Sequence, residues 1–214
     1  MSTSSGQLRG ARAREAILTA AGHEFREAGF RRASIESISA AAGVSRPTVY
    51  AHFASKEDIF RTIVAALHDE QVDAMHKAVQ PDAPIADQLY AVLAARFIPF
   101  VTITSSPHGA ELLDENSRIC SDITRNSRQR STRLLRDLLS AADRAGALSL
   151  RDAGLSAATA ADLVYDAARG AKEDATITPE VYRRQLRRLV NVLARGLGPQ
   201  HLSAGSYSGD QQTQ

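Results

Sequence analysis

Between Ser45 and Lys56 the chain reads SRPTVYAHFASK, which gathers a guanidinium, hydroxyls, an imidazole and an ammonium on one short segment. Arg46 suits the paired acceptors of a guanine edge, or a phosphate. Thr48 can donate to a base edge or a phosphate. Pro47 and Ala51 offer apolar contact to a thymine methyl, and the tips of Tyr50 and His52 suit phosphate oxygens. Lys56 adds charge beside a helix N-terminus, which is itself an anion site, and Ser34 stands at a second one. Interleaved with these residues are Val49 and Phe53, four apart and therefore on one helical face. The segment reads as a short helix with a buried back and a polar front, a shape that fits a DNA major groove. The bland reading is an ordinary surface helix with two incidental basic residues.

Such a helix needs supports. From Arg12, apolar residues at Ile17, Leu18, Ala21, Phe25 and Ala28 predict a first helix, closed at Gly29. Ser34 caps a second, ending near Ala42, and Gly43 permits the positive φ of a tight turn. Ser45 caps the third, with Pro47 in its first turn. Ser55 and Asp58 resemble a capping box for a fourth, reaching about Val79 and packing Ile59, Ile63, Leu67 and Val72 inward. Two short helices joined by Gly43-Val44-Ser45 form a helix-turn-helix.

The stretch from Ile17 to Phe60 resembles the N-terminal domain of the tetracycline-repressor (TetR) family of bacterial transcriptional regulators. The resemblance rests on "AA…F.E.GF" in the first helix, "AS" before the second, "AGVS" at the turn, "T.Y.HF" in the third and "SKE" after it. Two positions differ in character: Ala51 is smaller than the residue usual there, and Pro47 is one of several the family accepts. The resemblance implies a larger helical domain for ligand binding and dimerisation. It also implies a palindromic double-stranded DNA operator, and most often repression relieved by a small molecule. A regulator without such a ligand, controlled by a protein partner, remains open.

Composition agrees with an all-α chain in two parts. Ala, Leu and Arg are plentiful and Trp is absent among 214 residues. The expected organisation is a disordered arm over 1–9, a three-helix DNA-binding domain over 10–56, a ligand-binding and dimerisation domain over 57–197, and a disordered tail over 198–214. Residues 1–56 carry 8 Lys and Arg against 4 Asp and Glu, and the remainder carries 18 against 20. A basic head on a near-neutral body points to a polyanion partner. One Cys suits a reducing cytoplasm; the resemblance implies that the cytoplasm is bacterial, with nucleoid association when bound to DNA. No apolar run near 18 residues is expected, hence no membrane span.

In the body, "QPDAP" breaks the chain, and Pro99 is expected to kink or end the helix that begins near Ile85. "AELLDE" reads as a short helix, 117–145 as one long helix, 157–174 as an Ala-rich one, and Pro179 opens the last. A recognition helix reads only a few base pairs, so a homodimer is expected. Its surface is assigned to the last two helices, through Ala160, Val164, Ala167, Ala171, Leu186, Leu189, Val190 and Leu193. The same stripes would equally cover the monomer's own core. On the long helix the apolar stripe is interrupted by Asn126, Ser127 and Arg130, polar groups that suit an effector cavity. Arg130 fits a carboxylate or phosphate, and Ile123, Phe97, Phe100, Leu112, Leu113 and Cys120 supply walls. The alternative is that the helix merely surfaces there. Tyr165 and Arg169 are further candidates.

Catalysis finds no support. His23-Glu24 is followed by Glu27 where a zinc-protease helix needs its second His. His68 and His76 lie two turns apart, His108 has only Glu111 nearby, and no residue beside Cys120 would activate it. No phosphate-cradling Gly pattern exists. No metal, cofactor or enzymatic role is expected.

Overall fold

A computed structural model of the protein describes residues 3–172 and 177–198, with side chains from Gln7 onward. Residues 199–214 of the expected tail, and 173–174 of the expected Ala-rich helix, lie outside the described residues. Nine helices and no strand occur among the described residues: α1 (Thr3–Ala28), α2 (Ile35–Ala41), α3 (Arg46–His52), α4 (Lys56–Lys77), α5 (Ile85–Thr104), α6 (Gly109–Ile119), α7 (Ser121–Arg144), α8 (Ala157–Gly170) and α9 (Pro179–Gly196).

The caps fall where the polar residues predict. Ser34, Ser45 and Ser55 each accept from the backbone N–H three residues on. Ser34 and Ser37 form a reciprocal capping box. The Asp58 carboxylate instead accepts from Ala54, one residue before the cap, at 3.0 Å. Gly29 and Gly43 hold φ of 83° and 66°. The expected arm over 1–9 is corrected for Thr3 onward. Those residues continue α1, which brings Gly10 beside His52 and Arg14 over the Phe53 ring.

Two apolar cores organise the chain. The first joins Ile17, Phe25, Ile38, Val49, Phe53 and Ile59 in the head and admits Leu112 and Cys120 from the body. Phe25, Phe30 and Phe60 form a ring trio with centroids 5.0–5.5 Å apart. Each such buried ring is worth about 2–3 kcal/mol of removed apolar surface. The second core lies between α4, α5, α7, α8 and α9. Tyr182 is buried there and donates to the Ala168 carbonyl at 3.1 Å, tying α9 to α8.

Several expectations change in the body. α5 runs through Pro99 to Thr104. One lost backbone donor is tolerated because Phe97 and Val101, on either side, are fixed in the core. α5 is also long and apolar enough to cross a membrane by length and composition, contrary to the expectation of no such run. Its packing against α4 and α9 and its buried Arg96 are the contacts of a core helix. The long helix expected over 117–145 is broken at Cys120, whose φ and ψ of −122° and 22° are not helical, so 117–119 belong to α6.

Gly109 opens α6 against the end of α5, and a Cβ there would lie 2.0 Å from the Thr104 carbonyl oxygen. Gly109→Ala is therefore expected to destabilise by about 1–3 kcal/mol. Urea unfolding should show a lower midpoint; an unchanged midpoint would mean the α5–α6 approach is not fixed.

Candidate nucleic-acid interface and effector cavity

The front of α3 is built by what lies behind it. Val49 is fully buried and Phe53 nearly so, while Ser45, Arg46, Pro47, Tyr50 and Ala51 are exposed. Tyr50 has 58% of its surface open, unusual for so large a side chain. Thr48 is half-buried, its hydroxyl 2.8 Å from that of Ser45. His52 is half-buried beside α1. Arg46 forms an ion pair with Glu36 of α2 across the turn. Both partners are largely exposed, so the pair is weak and a phosphate or base edge can displace Glu36. Ser34 caps α2 as expected and is exposed.

Lys56 has a different position from the one its charge suggests. Its ammonium donates to the carbonyls of Phe30 and Ala33 at 2.7 and 2.8 Å and lies over the Phe30 ring. It therefore ties α4 to the loop between α1 and α2. The head also joins α6 and α7. Glu111 accepts from the Arg31 backbone N–H at 2.7 Å, and the Arg31 side chain lies 3.5 Å from Glu115. Arg61 of α4 grips Asp122 with two bonds of 2.9 and 2.7 Å, which lowers the Asp122 carboxyl to about 2.

The expected effector residues divide between two cavities. Phe100, Leu112 and Leu113 line an apolar cleft among α1, α4, α5 and α6, with Phe60, Ile63 and Leu67. Ile123, Asn126, Ser127 and Arg130 line a polar cleft between α4 and α7 that opens to solvent. Phe97 and Cys120 line neither. Phe97 packs on Tyr165 in the body core, and Cys120 is buried in the head's core, where burial pushes its thiol up to about 11. Arg130 is already paired with Asp69. Arg169 pairs with Asp166 on the surface.

His68 lines both cavities. Behind it lies a polar cluster that the apolar stripes did not reveal. Arg96, 3% exposed, donates to Gln71, to His68 Nδ1 at 3.1 Å, to Ser127 at 3.2 Å and to the Tyr165 hydroxyl at 3.5 Å. Its Nε and the Gln71 Nε2 have no partner among the described residues. Burial and the adjacent Arg96 charge push the His68 imidazole down to about 4, so it is neutral at pH 7. A charged residue within the apolar run AVLAARFIPF was the signal available in the sequence.

The dimer assignment is corrected in part. Ala160, Val164, Leu186 and Val190 are at most 1% exposed and cover the chain's own core. Ala167, Ala171, Leu189 and Leu193 are half-buried. The apolar side chains left open on α8 and α9 are Leu163 and Val192, at 52% and 68%. They fall off the main stripes, which is why periodicity passed over them.

Residues 17–63 match the family model of bacterial regulatory proteins of the tetR family. Over 74 residues the chain is 39% identical to the HTH-type transcriptional repressor BepR of Brucella suis biovar 1 (strain 1330), covering 35% of each chain. It is 29% identical over 103 residues to the HTH-type transcriptional activator FasR of Mycolicibacterium smegmatis (strain ATCC 700084 / mc(2)155), covering 48% of this chain and 46% of that one. The matches thus span about a third to a half of these relatives' length. SmeT, the repressor of the Stenotrophomonas maltophilia multidrug efflux pump SmeDEF, shares the fold with a TM-score of 0.63 at 22% identity, over 88% of this chain and 91% of that one.

The low His68 value carries a sign. Its folded pKa lies below the unfolded value of about 6.5, so the unfolded state binds the extra proton. Stability from this group is complete above pH 6.5 and is lost as pH falls towards 4. His68→Asn, which keeps an acceptor for Arg96, should flatten that part of the thermal-stability profile. A profile unchanged by the substitution would place the titration elsewhere.

Proposed function

The chain belongs, through its N-terminal domain, to the tetR family of bacterial regulatory proteins; from that premise we propose that it is a DNA-binding transcriptional regulator. It binds a palindromic operator as a two-fold dimer, represses from there, and is released by a small-molecule effector. The observation that carries this reading is α3, whose polar front stands open because its apolar back is the keystone of the head's core. Repression is adopted because BepR, the more identical of the two relatives described above, is named a repressor. These named relatives are regulators, and the enzyme reading is set aside.

In this mechanism the dimer sets the distance between two recognition helices so that both enter the groove about one helical turn apart. Leu163 and Val192 begin the contact surface. The effector occupies the cavities beside α4. That helix runs from the head into the body, so a ligand that shifts it changes the spacing of the two heads. A coupling of about 1–3 kcal/mol weakens DNA binding by about 5–150-fold.

The test is fluorescence anisotropy with a duplex from the non-coding region upstream of the chain's own coding sequence. Tight binding that weakens steeply with salt is expected. Arg46→Ala should cost about 1–3 kcal/mol and relax preference at one base position. Glu36→Gln should raise affinity by freeing Arg46 and removing a negative charge from the interface. Lys56→Ala should lower head stability and leave the salt slope little changed. Absence of binding at low salt, or indifference to Arg46→Ala, would contradict the interface.

The dimer is checked by light scattering: Leu163→Arg with Val192→Arg should halve the mass. A wild-type chain of monomer mass at micromolar concentration would remove the two-fold arrangement.

A further inference from the structure

We propose that the effector is an amphipathic monoanion, an apolar chain or ring ending in a carboxylate, and that the carboxylate binds to His68 and Ser127 under the charge of Arg96. This rests on the reading of the chain as an effector-controlled regulator and gives the effector its chemical class.

Arg96 is the point of departure. No carboxylate among the described residues lies within ion-pair distance of it. Other arginines of the body, Arg61, Arg128 and Arg130, are each paired with aspartate. A buried cation without a counter-charge is costly, and a buried charge is normally paired. The hydrogen-bond partners of Arg96 are all neutral, namely Gln71, His68, Ser127 and Tyr165.

The guanidinium can only donate, so it dictates the state of those partners. Nδ1 of His68 must accept, and the neutral imidazole then carries its proton on Nε2. The Ser127 oxygen also accepts from Arg96, which leaves its own hydrogen to donate. Both side chains line the polar cleft, and His68 lines the apolar one as well. Two donors polarised by one buried cation thus border the polar cleft, and one of them, His68, belongs to both cavities. The acids of the polar cleft are occupied: Asp69 by Arg130 and Asp122 by Arg61. A carboxylate fits the donors and supplies the missing charge, while Phe60, Ile63, Phe100 and Leu112 receive its apolar part. A cationic ligand meets the wrong sign here, and a neutral one leaves Arg96 uncompensated.

The experiment titrates the full chain with decanoate, decanol and decylammonium below their aggregation concentrations. Thermal stabilisation and release of the upstream duplex are followed in parallel. Decanoate should bind at least about tenfold more tightly than decanol, the gain expected of hydrogen bonds to a charged group, and decylammonium should bind worst. Ser127→Ala and Arg96→Met should each narrow the difference in affinity between decanoate and decanol. If Arg96→Met does not fold, Ser127→Ala and the wild-type comparison decide. Equal binding of decanol and decanoate overturns the proposal. So does failure of every carboxylate from hexanoate to palmitate, or a preference untouched by both substitutions. A chain that prefers decanoate but ignores the duplex supports the anion site and contradicts the regulator reading. One that binds the duplex and is released equally by decanol contradicts only the anion site.

Discussion

Seven residues do not make a stable helix by themselves in water. α3 exists because Val49 and Phe53 are locked into a core shared with α1, α2 and α4. That burial fixes more than stability. Once the back of a short helix is committed, its front is committed too, and Arg46, Pro47, Tyr50 and Ala51 have no choice but to face outward. The turn at Gly43 and the caps at Ser34 and Ser45 set the angle at which they do so. The head is therefore a rigid mount for one polar ridge.

The mount is clamped to the body at several points, and these give the allosteric reading its physical content. Gly29 takes a positive φ, and a side chain there would strike the Glu111 carboxylate at 2.5 Å, so the α1–α2 loop can lie directly on α6. Glu111 holds that loop through the Arg31 backbone, Lys56 holds it from α4, and Arg61 holds α4 to the start of α7. α4 and α6 both border the apolar cleft. Any ligand there presses on elements that grip the head, and no long chain of intermediaries is required.

The head was largely legible in the sequence because its determinants are local. Caps, a left-handed glycine and an i, i+4 apolar pair each act within a few residues, and all fell where expected. The structural role of Lys56 was missed because its charge is read locally whereas its partners, Phe30 and Ala33, are brought to it by tertiary packing. The body was harder for a related reason. Periodicity identifies the apolar face of α8 and α9, yet it does not say whether that face meets the same chain or a second copy, so Ala160, Val164, Leu186 and Val190 were assigned outward when they point inward. The break at Cys120 has no Gly or Pro to announce it. Arg130 drew attention as a lone charge on a stripe, whereas Asp69 neutralises it and Arg96, hidden in the most apolar helix, has no such partner.

What unites head and body is a division of labour between fixed and open chemistry: the apolar cores determine position, while Arg46 is held only by an exposed pair with Glu36 and Arg96 has no carboxylate partner among the described residues. The most direct measurement is NMR perturbation mapping of the isotope-labelled full chain on addition of the upstream duplex. The account predicts that amide signals of α3 and of the first turns of α2 and α4 shift, while those of α5 and of the core side of α9 do not. Perturbations confined to the body, or none at all under conditions of low salt, would contradict it.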